Sequence, residues 1–183
     1  LAVSISFSQT NPGAQFLPFN LNSQTGGTLP AGVAVHRFGT TAGAIPTTRT
    51  LIPGNGDLPY VLTVGSGGWK DEAANGLSIL ASGAQSAGAL IIAINTTGST
   101  NIAVQWTTRL ILQNPSWDNN IALQYRIGTT GNFIDIGTTS TFNTAGQVVG
   151  YSQTYLETLP AAAENQAVVQ VRFIYWATAG GSG

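Results

Sequence analysis

The chain has 183 residues, of which only 7% are charged, against about 25% in an ordinary soluble domain. Six basic and seven acidic side chains give a net charge of −1, which excludes the clustered Lys and Arg that nucleic-acid binding requires. Because the sequence has no Cys, disulfide scaffolds, thiolate zinc sites and cysteine nucleophiles are excluded as well. The length and a hydrophobic share of 43% favour one domain, residues 1–183.

The polar positions are filled mainly by uncharged residues, and this composition indicates an exported protein. A surface with little net charge has little self-repulsion, which suits proteins that associate with one another or with neutral polymers. The absence of both Cys and Met fits an oxidising environment. We therefore expect an extracellular or cell-surface location. No run of about 18 apolar residues occurs, so we expect no membrane span.

Alternation of apolar and polar residues predicts strands along most of the chain. In chain order, the predicted strands lie at residues 1–8, 33–38, 60–64, 89–95, 101–113, 121–127 and 169–175. The segment Ala89–Asn95 is continuously apolar, which is typical of a strand covered on both faces. Gly128–Gly131 predicts a hairpin-like connection, and Pro160–Gln166 a single helical turn. Short strands with Gly-rich turns indicate an all-β fold, an antiparallel β-sandwich or jelly roll.

Three predicted strands carry a Gln followed by an Arg on the side opposite their apolar residues. The candidate ligand-binding residues on this outer side are Arg109, Gln124, Arg126, Gln170, Arg172 and Trp176. If the strands are neighbours, these side chains form one outward-facing polar patch. The patch is either a solvated sheet face with cross-strand pairs or a platform for sugar or another subunit, since Arg makes bidentate and stacking contacts.

Two tryptophans are predicted in loops rich in polar residues. Trp69 follows a pair of glycines and precedes Lys70, and Trp117 precedes Asp118. An aromatic face beside hydrogen-bonding groups is a plausible sugar-stacking element. The alternative is that each Trp covers an open end of the sandwich.

No catalytic or metal-binding pattern emerges from the ionisable residues. None of the seven carboxylates forms an evident pair for glycoside hydrolysis, and His36 is the only candidate base for a serine triad. Asn55–Asp57 and Trp117–Asn120 could lend oxygens to calcium, but short Asx-rich turns give this pattern often by chance. The sequence thus predicts neither an enzyme nor a cofactor.

Several segments in a fixed order carry a family resemblance. They are Gly76–Gly83, Asn95–Thr100, Ile121–Gly128, Leu159–Gln166 and Val169–Trp176. This order resembles a family of secreted bacterial surface β-sandwich modules of the Bacteroidota type. The resemblance implies a non-catalytic module carried by varied exported proteins.

The family pattern continues beyond Gly180–Gly183 into a last strand that is not in this sequence. The resemblance therefore implies a sheet edge without its partner, which an extended segment from a neighbouring subunit would complete. The donor that we expect is residues 1–8, whose apolar side chains are Leu1, Val3, Ile5 and Phe7. The alternative is that this segment pairs within its own sandwich.

These expectations together predict a structural or adhesive protein, as a subunit of a surface filament or a module of a surface protein. Its partners would be further copies of itself or neighbouring surface domains. The alternative is a carbohydrate-binding module that holds a polysaccharide through Trp69, Trp117 and the Gln/Arg face.

Overall fold

The computed structural model describes residues 32–39, 60–61, 68–71, 77–80, 87–113, 118–136 and 141–178. These residues form β-strands and one short 3-10 helix, which confirms the predicted all-β class. The strands are β1 Val33–Gly39, β2 Tyr60–Val61, β3 Gly68–Asp71, β4 Leu77–Leu80, β5 Ala87–Ile94, β6 Ala103–Arg109, β7 Asn119–Ile127, β8 Ile134–Asp135, β9 Thr141–Asn143, β10 Ser152–Thr158 and β11 Val169–Ala177. The 3-10 helix, Ala161–Ala163, lies within the predicted single turn.

The main sheet has six antiparallel strands in the order β1-β5-β11-β7-β8, with β9 also paired to β7. The apolar strand β5 lies between β1 and β11 and is buried along Ala87–Ala93, as its continuous hydrophobicity predicts. β6 and β10 form a separate antiparallel pair, which we call the ribbon. In the third sheet, β3 pairs in parallel with β2 and antiparallel with β4.

The core lies between the ribbon and one face of the main sheet. Trp106 of β6 stacks on Tyr155 of β10 with a 4.4 Å centroid distance, and it meets Phe173 of β11 edge-on at 5.5 Å. Main-sheet residues such as Leu123 and Val171 belong to the same buried cluster. Full burial of an apolar side chain stabilises the fold by about 1.5–3 kcal/mol, so these facing layers anchor the ribbon to the sheet. A jelly-roll strand order stays a prediction.

Two sequence predictions are corrected by the strand boundaries. The strand predicted at 101–113 ends at Arg109, and Leu112 is exposed. The register with β10 continues through the Leu110 N–H, which donates to the Tyr151 carbonyl, and breaks at the Leu110 carbonyl, which accepts from the Gly150 N–H in place of the Tyr151 N–H, each at 2.8 Å. Trp69 lies in β3 and not in a loop.

The predicted donor segment 1–8, the possible calcium turn at Asn55–Asp57, and Trp117 lie outside the described residues. Within the part of the chain that is described, no helix is long and apolar enough to cross a membrane.

Candidate functional site

Four of the candidate residues meet on neighbouring strands and form what we call the Gln/Arg layer: Gln124, Arg126, Gln170 and Arg172. The register between β7 and β11 places Gln124 opposite Arg172 and Arg126 opposite Gln170, so two of the three strands are neighbours. The predicted exposure is wrong. Arg126 is 4% exposed and the other three are 0% exposed. Part of the cover comes from the chain after the Gly128–Gly131 connection, which brings buried Phe133 over both guanidinium groups.

Each arginine of the layer is held by the glutamine opposite it. Arg126 donates from Nε to Gln170 Oε1 at 2.7 Å and from Nη1 to the Gly131 carbonyl at 3.0 Å. Arg172 donates from Nε to Gln124 Oε1 at 2.8 Å, and a second bond joins its Nη2 to the same oxygen. The guanidinium carbons of Arg126 and Arg172 lie 4.5 and 4.0 Å from the Phe133 ring centroid.

The two glutamines differ in how their amide nitrogens are used. Gln124 Nε2 donates to Asp135 Oδ1 at 2.6 Å. Gln170 Nε2 is buried and has no hydrogen-bond partner within the described structure. The amide nitrogen of Gln124 is thus hydrogen-bonded, whereas the buried amide nitrogen of Gln170 is not.

Burial changes the electrostatics of both arginines. Loss of hydration on burial and, to a smaller extent, the nearby positive charge of Arg126 lower the pKa of Arg172 to about 9, although Asp135 acts in the opposite direction. Burial also lowers the pKa of Arg126. At neutral pH both stay protonated, so the layer holds two buried positive charges. Such charges are costly unless hydrogen bonds compensate for lost hydration, and here the glutamine oxygens and the ring face provide that compensation.

The remaining candidates lie elsewhere. Arg109 is exposed on β6, opposite Ser152 in the ribbon, and is not part of the layer. Trp176 is on the same sheet face as the layer, but it is buried in a second apolar cluster with Ala87, Ala122 and Ile174. The backbone of Trp69 pairs with Tyr60 and Ile79. A ligand-binding role for any of these residues stays a prediction.

The sequence analysis missed β10, whose outer edge is the other candidate site. The backbone hydrogen bonds at the two ends of the ribbon continue the β6–β10 register. They run from the Leu110 N–H to the Tyr151 carbonyl and from the Leu159 N–H to the Ile102 carbonyl. In an antiparallel pair, alternate residues direct their backbone groups toward the partner and away from it. The backbone groups that point away from β6 are therefore those of Ser152, Thr154, Leu156 and Thr158. Among the described strands, only β6 pairs with β10.

The β10 edge has few of the features that usually protect an edge strand, and its one charged residue is Glu157. Its sequence, SQTYLET, contains no Pro, Lys or Arg, and its register with β6 has no bulge. Leu156 is 67% exposed, and Thr154 forms a 2.8 Å hydroxyl bond with Thr107 on the same open face. Natural edge strands are commonly blunted by charges, prolines or bulges, because unpaired backbone groups recruit other strands. Among the described residues nothing pairs with the outer edge of β10, which is therefore available for strand addition within this part of the structure.

The described residues contain no group of three or more His, Cys, Asp or Glu side chains that could hold a metal. A calcium site stays a weak prediction. Comparison with protein-family models, curated proteins and solved structures gives no match, so the family resemblance also stays a prediction.

Proposed function

We propose that this chain is a non-catalytic structural module of an extracellular surface protein or filament, and that it works by self-association through β-strand complementation. The observation that carries the proposal is the outer edge of β10, a regular seven-residue strand that has no Pro, Lys, Arg or bulge and pairs only with β6 among the described strands. Low charge supports the same conclusion, because a net charge of −1 offers little repulsion between copies.

The state of the Gln/Arg layer favours this function over carbohydrate binding. A sugar platform requires exposed amide and guanidinium groups, but these four side chains are buried and hydrogen-bonded to one another. Their role in the proposal is to fix β7 to β11. The carbohydrate-binding alternative then depends on Trp69, Trp117 and Arg109.

The test is the mass of the native particle across a concentration series, by light scattering after size exclusion, with electron microscopy of the largest fraction. Self-association predicts particles well above 18.9 kDa that persist on dilution. A monomer at every concentration contradicts the proposal. If its Trp fluorescence then responds to a polysaccharide, the carbohydrate-binding alternative takes its place.

A further inference from the structure

We infer that the strand added at the β10 edge is β10 of a second copy, so that two ribbons join into one four-stranded sheet across a two-fold axis. This inference rests on the proposed self-association and names its partner. The interface is isologous, meaning that each copy contributes the same surface.

The backbone of β10 is self-complementary in one full-length register. When two antiparallel copies are centred on Tyr155, Thr154 faces Leu156 of the second copy, and Ser152 faces Thr158 of the second copy. All of these residues direct their N–H and C=O groups outward, as hydrogen-bonded pairs require. Every residue of the seven-residue strand is then paired. Two bonds for each outward pair give about eight backbone hydrogen bonds.

The cross-strand side-chain pairs that this register creates are also favourable. Glu157 is the only charged residue in β10, and it faces Gln153 of the second copy and not the other Glu157. Direct opposition of like charges, which destabilises cross-strand pairs, is thereby avoided. Leu156 is 67% exposed in one copy and loses exposed surface beside Thr154 of the second. The two Tyr155 residues face one another as an aromatic cross-strand pair, which is favourable in sheets.

Apolar surface continues beyond the strand. Val148 and Val149 are separated from the start of β10 by two residues and are 70% and 58% exposed. The two-fold axis places one such pair at each end of the joined ribbons. Burying exposed aliphatic side chains at both ends adds to the association free energy.

The inference is tested by disulfide cross-linking, which is clean because the chain has no Cys. Gln153→Cys and Glu157→Cys variants, one of them with a mass tag, are mixed and mildly oxidised. In the inferred register residues 153 and 157 of opposite copies form a close, non-hydrogen-bonded pair, with Cα atoms about 4.5 Å apart. Two copies of the same residue are offset by four positions, about 13 Å along the strand. Since a disulfide needs Cα atoms within about 7 Å, the mixed dimer should exceed either homodimer by about tenfold.

Removal of residues 1–8 from both Cys variants separates this inference from donor-strand exchange. We expect the truncated chains still to form oligomers and the mixed cross-link. If oligomers form but the mixed cross-link does not exceed the homodimers, or if the truncation abolishes assembly, the inferred partner is wrong and self-association stands. If no oligomer forms in the full chain, the proposed function itself fails.

Discussion

Gln124 illustrates how single residues make buried charge tolerable in this sheet. Its Oε1 accepts from Arg172 while its Nε2 donates to Asp135, so one amide links a buried cation to a carboxylate. A carboxylate directly opposite Arg172 would have neutralised the charge. The neutral amide oxygen instead accepts hydrogen bonds from Arg172 and leaves its guanidinium group charged. Loss of the Gln124 acceptor should therefore destabilise the buried Arg172.

We expect Gln124→Leu to lower the free energy of unfolding by about 2–3 kcal/mol, because it removes an acceptor from a fully buried cation. Adding Arg172→Met to the same chain should recover much of that loss, since an apolar pair needs no compensation. Urea denaturation of the two single variants and the double variant measures the coupling. Gln105→Leu, the same change on the exposed face of β6, is the control and should be close to neutral. Additive effects of the two substitutions would contradict this account.

Thr96 has a comparable role in a connection between strands. It is 0% exposed, donates its hydroxyl to the Ala163 carbonyl at 2.6 Å and accepts from the Gln166 N–H at 3.0 Å. We expect Thr96→Val to cost about 1–3 kcal/mol, because it leaves buried backbone groups unsatisfied. Thr97→Val, at the exposed neighbouring position, serves as the control in thermal unfolding. Equal losses in the two variants would show that the buried hydroxyl has no special role.

At the scale of elements, the strands differ in how clearly the sequence predicts them. The buried strands β5, β7 and β11 are predictable because their apolar residues follow a regular pattern. β10 is not, because Leu156 points outward and its other exposed-face residues are Ser and Thr, so no apolar alternation marks it. The shared face of the Gln/Arg layer follows from period-two spacing. The burial of the layer does not follow from this spacing. It depends on Phe133, which covers the layer only because the chain reverses direction at Gly128–Gly131.

The open edge should be sensitive to charge in a position-dependent way. Leu156→Lys places a solvated cation on the β10 edge, as natural edge strands do to prevent pairing, and removes exposed apolar surface. We expect it to weaken self-association by about tenfold, or about 1.4 kcal/mol, with little change in the unfolding of the monomer. Leu112→Lys is a matched control, since Leu112 is also 67% exposed and lies outside the ribbon. Sedimentation velocity measures both, and equal weakening would point to a general charge effect.

At the scale of the whole molecule, the fold separates a buried interior from the β10 edge, through which we propose that copies associate. One face of the main sheet packs against the ribbon, and the other holds the Gln/Arg layer and a second apolar cluster. In the proposed assembly, the ribbon presents its outer strand to a second copy. A two-fold contact through β10 makes a closed pair, so a filament would require an additional contact, for which the predicted donor segment 1–8 is a candidate.

The central claim, that copies associate through the β10 edge, is tested most directly by removing one outward backbone donor. Thr154→Pro deletes an N–H group that points away from β6 and leaves the ribbon's own hydrogen bonds in place. Thr154→Val is the matched control, because it loses the same hydroxyl bond to Thr107 but keeps the N–H group. In light scattering at equal concentration, we expect the Val variant to assemble like the native chain and the Pro variant to elute as a folded monomer. Assembly of the folded Pro variant at native strength would contradict the claim.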